Sequence, residues 1–132
     1  MKFRLSTLLL LGFMLISCTV TKKIVSTGIQ EVSFGGGGGV TGVVREYRLL
    51  SSGELLLGDQ LLASLPKEEV LYIFSEAKKL SDYEYKKPHN MSLFLSIKQL
   101  SGVENRIVWH AMDKDIDPEV SKLYDKLKSF IK

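Results

Sequence analysis

From Glu31 onward the chain divides into short stretches whose apolar positions repeat either every two residues or every 3.6. Val32 and Phe34 alternate with Glu31 and Ser33, the period of a strand with one buried face. Val43, Tyr47 and Leu49 alternate with Val44, Glu46 and Arg48 and predict a second strand. Ser51-Ser52-Gly53 signals a turn, after which Glu54 to Leu57 make a short third strand or a strand edge. Residues 66–80 read as a helix, because Val70, Ile73, Phe74, Ala77 and Leu80 form one apolar stripe. Glu68 and Glu69 stand in its first turn and Lys78 and Lys79 in its last, charges that suit the helix dipole. Met91, Leu93, Leu95 and Ile97 then alternate with Ser92, Phe94, Ser96 and Lys98. A turn over residues 101–105 returns the chain as a partner strand over residues 106–112. Asp117-Pro118 opens a last helix, with Asp as N-cap and Pro at the first helical position. Its stripe is Val120, Leu123, Tyr124, Leu127 and Ile131, with Lys122, Lys126, Lys128 and Lys132 outside it.

This order is strand-strand-helix arranged twice, with room for one extra edge strand. The short links within each strand pair are hairpin-like. The expectation is an α+β fold, an antiparallel sheet with two helices packed on one face. It would occupy residues 31–132 as a single domain.

The segment before the domain follows a different pattern. Lys2 and Arg4 give a short positive start, and an apolar run from Leu5 to Leu15 is interrupted only by Ser6, Thr7 and Gly12. That run is about half the ~20 residues needed to cross a hydrocarbon core, so it fits the apolar region of a signal peptide better than a membrane span. It ends in Leu15-Ile16-Ser17-Cys18, where an ordinary signal peptide would carry small residues around its cleavage site. The box resembles the lipobox of bacterial lipoproteins. The resemblance implies residues 1–17 as signal peptide, cleavage between Ser17 and Cys18, and a diacylglyceryl thioether on the Cys18 sulfur, with the new amino terminus acylated. Two or three acyl chains hold a protein stably at a membrane, whereas one does so only marginally. Thr19 follows the cysteine where an Asp would favour inner-membrane retention, so the resemblance leans toward the outer membrane, on its periplasmic side. Residues 18–30 then read as the lipidated cysteine and a Thr/Ser/Lys-rich tether, in which Lys22 and Lys23 would favour anionic headgroups.

Charge changes the picture once this cut is made. The full chain of 132 residues carries 18 Lys+Arg against 15 Asp+Glu, a formal charge of +3. Loss of residues 1–17 removes Lys2 and Arg4, and 16 cations then face 15 acids. A near-neutral domain lacks the clustered basic face that nucleic-acid binding needs. Tyr83, Tyr85, Lys86 and Lys87 form a basic-aromatic patch, but Glu76, Asp82 and Glu84 neutralise it. The chain's one cysteine leaves no disulfide framework and no Cys-rich zinc site.

Candidate chemistry centres on an unusual run: Gly35, Gly36, Gly37, Gly38, Gly39, Val40, Thr41 and Gly42. Gly37, Gly39 and Gly42 satisfy G-x-G-x-x-G, yet a strand follows, whereas phosphate binding needs a helix N-terminus there. The remaining readings are a wide or bulged hairpin connection needing positive φ, a mobile partner-contact loop and a backbone cradle for a small ligand. Asp113-Lys114-Asp115-Ile116-Asp117 has the spacing of a calcium loop, but Pro118 and Tyr124 stand where that loop needs Gly and Glu. His89 reads as a loop residue, and His110 as a sheet-face residue beside a core Trp109. Neither has a sequence neighbour that would make a catalytic or metal motif. No catalytic residue, metal ligand or cofactor other than the Cys18 lipid is therefore expected, and the domain reads as non-enzymatic.

Two further resemblances bear on function. The layout, a lipobox ahead of a small domain, is similar to small lipoproteins of Bacteroides-like bacteria. The stretch from Phe34 to Leu49 and the order of elements after it resemble the emfourin family, inhibitors of thermolysin-like metallopeptidases. That family carries a strand, a Gly-Gly-aromatic-x-Gly turn, a second strand and then a helix. Here Gly38-Gly39-Val40-Thr41-Gly42 takes the place of the turn, with Val40 where the aromatic stands and extra glycines before it. The first resemblance supplies no activity; the lipobox and the lack of a catalytic constellation lead to the expectation of an envelope lipoprotein that binds or scaffolds an envelope protein partner. The second implies a peptidase inhibitor.

Overall fold

A computed structural model describes residues 27–132. The expected signal peptide, Cys18 and most of the tether lie outside the described residues. Six strands form one fully antiparallel sheet: β1 (Ile29–Gly38), β2 (Val44–Leu50), β3 (Glu54–Leu57), β4 (Gln60–Ser64), β5 (Met91–Gln99) and β6 (Glu104–Trp109). Helix α1 (Lys67–Lys79) joins β4 to β5, and α2 (Pro118–Lys128) follows β6. The spatial order is β4-β3-β2-β1-β5-β6, so the first strand lies in the interior and joins the two halves of the chain.

The α+β class, the antiparallel sheet and the two helices are as expected, but the strand-strand-helix repeat is not. Four strands in a meander precede α1, and only two precede α2. The added strand, β4, pairs with β3 across a turn at Gly58-Asp59, and Gly58 adopts φ 58°. β1 also takes in Ile29, which is buried. β6 spans Glu104–Trp109 instead of the expected 106–112, so His110 and Met112 lie past the strand rather than on it.

The sheet's two faces follow from register. Val32 faces Leu49 and Ile97 across the ladders, and Phe34 faces Tyr47 and Leu95. These side chains join Ile107 and Trp109 in one core with the helix stripes. All five stripe residues of α1 are buried, as are Val120, Leu123, Tyr124 and Leu127 of α2. Burial of so many aliphatic and aromatic side chains, each contributing roughly 1.5–3 kcal/mol, drives the assembly. Polar contacts fix its joints. Asn105 on β6 donates its side-chain amide to the carbonyls of Leu80 and Tyr83 at 3.1 and 2.8 Å, closing the end of α1. Asp117 accepts from the Glu119 backbone N–H at 2.9 Å and caps α2 as its sequence predicts. Lys126 and Glu69 link the two helices at 3.1 Å.

The opposite face is polar. Arg48 donates to both carboxylate oxygens of Glu31 at 2.9 and 3.2 Å, and the Ser33 hydroxyl donates to the same group at 3.0 Å. Phe94 is only 4% exposed even though it stands apart from the core cluster. It pairs with Gly35, which has no side chain to displace it, and the Arg106 guanidinium lies 3.9 Å from its ring centroid. A cation over an aromatic face is favourable.

Candidate functional site

The glycine run forms the second half of β1 rather than a free loop. Gly35, Gly36 and Gly37 pair with Glu46, Arg45 and Val44 on one side and with Phe94, Leu93 and Ser92 on the other, and Gly38 pairs with Met91. Close approach explains the residue type. A Cβ on Gly35 would stand 1.9 Å from the Arg45 carbonyl oxygen, and one on Gly38, at φ 107°, would stand 2.1 Å from that of Asn90. The connection itself is short. Gly39–Thr41 form a single 3-10 turn, and Gly42, at φ 63°, donates its N–H to the Gly39 carbonyl at 3.3 Å. The positive φ expected of a hairpin connection is therefore present at Gly39 and Gly42, with Val40 fully exposed at the tip.

Several segments converge on this end of the sheet. The Gly39 N–H donates to the Asn90 carbonyl, which ties the turn to the start of β5. The segment before β5 is held along the outer edge of β6: Val108 donates to the Tyr85 carbonyl at 2.9 Å, and Lys87 donates to the Val108 carbonyl at 3.0 Å. That arrangement brings His89 against His110, with ring centroids 5.0 Å apart, an adjacency that 20 intervening residues concealed. His110 Nδ1 accepts from the Met112 N–H at 3.2 Å, which leaves the proton of a neutral ring on Nε2. An open pocket of about 600 Å³ lies between Pro88, Asn90, Met91 and the two histidines.

The large apolar side chains exposed here are Val40, Val43, Val44, Met91 and Met112. Gly39 and Met91 are adjacent, since a Cβ on the glycine would lie 3.5 Å from the methionine side chain. On the helix side of the same end, a groove of about 410 Å³ runs over Gly36, walled by Tyr47, Leu93, Tyr124 and Ile131. Phe34 stacks on Tyr47 at 5.4 Å and meets Tyr124 edge-on at 6.2 Å, while Tyr124 donates its hydroxyl to the Gly35 carbonyl at 3.3 Å. Burial pushes the Tyr124 phenol above its ordinary value, keeping it a neutral donor.

The acidic loop serves structure. Asp113 accepts from the Tyr85 hydroxyl and, at 3.0 Å, from the Asp115 N–H. Those bonds, the tyrosine's above all, hold its carboxyl below the usual aspartate range. Asp117 is the helix cap, and Asp115 pairs with Lys87 at 3.6 Å. Among the described residues, no group of three or more His, Cys, Asp or Glu side chains is arranged to hold a metal ion. Trp109 is 2% exposed and packs edge-on to Tyr124 at 5.3 Å, a core residue as expected. No helix among the described residues is long and apolar enough to cross a membrane.

No family model matches the chain, and no curated protein or solved structure matches it.

Proposed function

We propose that this chain is a bacterial envelope lipoprotein, anchored through lipid on Cys18, whose α+β domain binds another envelope protein through the glycine end of its sheet. The lipobox supports the anchor. The observation that carries the binding reading is one of placement. β1 starts beside the tether and ends at the glycine turn, ten residues or about 30 Å away, and five large apolar side chains are exposed at that far end. An anchor at one end of the strand leaves the other directed away from the lipid. No step of this reading requires catalysis or a cofactor other than the lipid, and the outer membrane, on its periplasmic side, is the favoured address.

Two measurements test it. Cys18→Ser should abolish palmitate labelling and release the protein from the membrane fraction; persistence of both would end the anchoring reading. A photo-crosslinking residue placed at Val40 should trap a defined envelope protein that the same residue at Leu61, on the β4 edge, does not. Equal trapping from both positions would remove the glycine end from the reading.

The exposed Val40 tip also favours a second reading, inhibition of a thermolysin-like metallopeptidase by a projecting apolar side chain. Inhibition by the intact chain that Val40→Asp abolishes would support it. No inhibition at high micromolar excess would discard it.

A further inference from the structure

The groove over Gly36 has features that a protein-contact surface does not require. Its walls mix aromatic Tyr47 and Tyr124 with aliphatic Leu93, Met91 and Ile131, and Arg45 on β2 and Lys128 at the end of α2 stand on its rim. Neither cation meets a carboxylate within ion-pair distance among the described residues, which pair only Arg48, Lys79, Lys87, Arg106, Lys122 and Lys126. Lys128 instead lies 5.6 Å from the Tyr124 ring centroid, directly beside the groove. Two cations outside any ion pair at the mouth of an apolar-walled groove complement an anion carrying an apolar body.

Size and backbone pairing narrow the class. About 410 Å³ is near the lower end of ligand pockets, which run from roughly 300 to 1,000 Å³. Gly35, Gly36 and Gly37 are paired with β2 on one side and β5 on the other, so the floor offers no open strand edge to an extended peptide. A peptide main chain laid here would leave its own amides unpaired, at a cost of about 1–3 kcal/mol for each one buried. The chain's tether carries Lys22 and Lys23, the wrong charge for this rim.

We propose that this groove binds a small monocarboxylate with a compact apolar body. Arg45 and Lys128 hold the carboxylate, and the body lies between Tyr47, Leu93 and Ile131 over the bare backbone of Gly36. The inference does not rest on the anchoring or partner readings, although Met91 belongs both to the groove lining and to the proposed contact end.

The test is an amide chemical-shift titration of the nitrogen-15-labelled full chain in mild non-ionic detergent. The probe is hydrocinnamate, a phenyl ring on a short carboxylate chain. The amides of Gly35, Gly36 and Gly37 should shift saturably at millimolar acid. Arg45→Met and Lys128→Met, both at exposed positions, should each weaken binding about fivefold, the upper range for one exposed ion pair, with the rest of the spectrum unchanged. Hydrocinnamyl alcohol, which lacks the charge, should bind more weakly than the acid. Four results would overturn the proposal: no saturable glycine shifts, equal affinity for the alcohol, affinity unchanged in both variants, or tighter binding of a short peptide ending in Phe than of the free acid.

Discussion

The two halves of β1 are paired alike and built differently. Residues 29–34 bury Ile29, Val32 and Phe34, whereas residues 35–38 are glycines with no side chain to bury. Both halves nevertheless sit between β2 and β5 with an unbroken register from Glu31 to Gly37. In the first half, side chains locate the strand, because a slip by one residue would turn Val32 and Phe34 out of the core. In the second half the neighbours do so, and β1 contributes backbone alone. The missing side chains have consequences on both faces: Phe94 settles opposite Gly35 under Arg106, and the groove opens over Gly36. Glycine ordinarily weakens a strand interior, and here two flanking ladders offset that cost.

The difference can be broken most severely in the first half. Phe34 is fully buried among Tyr47, Tyr124 and the core, so Phe34→Ala should lower unfolding stability by about 3–5 kcal/mol in urea denaturation. A smaller loss than Gly35→Ala causes would mean that the two halves had been assigned the wrong way round. For Gly35→Ala itself, the added Cβ meets a backbone oxygen that no rotamer can clear, and a loss of about 1–3 kcal/mol is expected by the same assay. Stability equal to the parent protein would show that the glycines are not required for close approach.

A weaker effect comes from the polar face of the first half. The Arg48 hydrogen bonds, opposed by partial burial, hold the Glu31 carboxyl below its ordinary value of 4.5. Because the folded value is depressed, the stabilisation is complete above the unfolded value and is lost as pH falls through the folded one. Glu31→Gln should therefore cost about 1 kcal/mol at neutral pH and flatten the decline in stability on acidification below 4.5. A decline as steep as in the parent would assign the acid sensitivity to other groups. The smallest effect belongs to the tip, where Val40 is fully exposed; Val40→Ser should leave stability within about 0.5 kcal/mol. A larger change would mean that the tip side chain is part of the fold.

The same contrast governs what was legible before the structure. Val70, Ile73, Phe74, Ala77 and Leu80 announced α1 and are all buried, because a stripe at helical spacing can be buried on one side only. The alternation of Leu93, Leu95 and Ile97 likewise marked β5. β4 was missed because Leu61-Leu62-Ala63 shows no alternation, and an edge strand leaves Leu61 exposed. The strand character of Gly35 to Gly38 was hidden because a side-chain pattern cannot be written in glycine. The His89–His110 contact and the groove depend on pairing between segments distant in sequence: Tyr85 to Lys87 along β6, and β1 against β5. Such registers are set by tertiary packing, and no local signal encodes them. The turn at Gly42 is the exception, since its positive φ is a local demand that the residue type reveals.

The interior position of β1 also has a mechanical meaning. Its hydrogen bonds to β2 and β5 run across the strand axis. A pull on the N-terminal end of β1 against the rest of the sheet therefore loads both ladders in shear, so that many bonds must fail together. The hairpin of β5 and β6, pulled apart at its open end, would instead unzip one pair at a time. The line from the N-terminal end of β1 to the glycine turn is therefore a stiff axis of the sheet, because tension along it must break both ladders together.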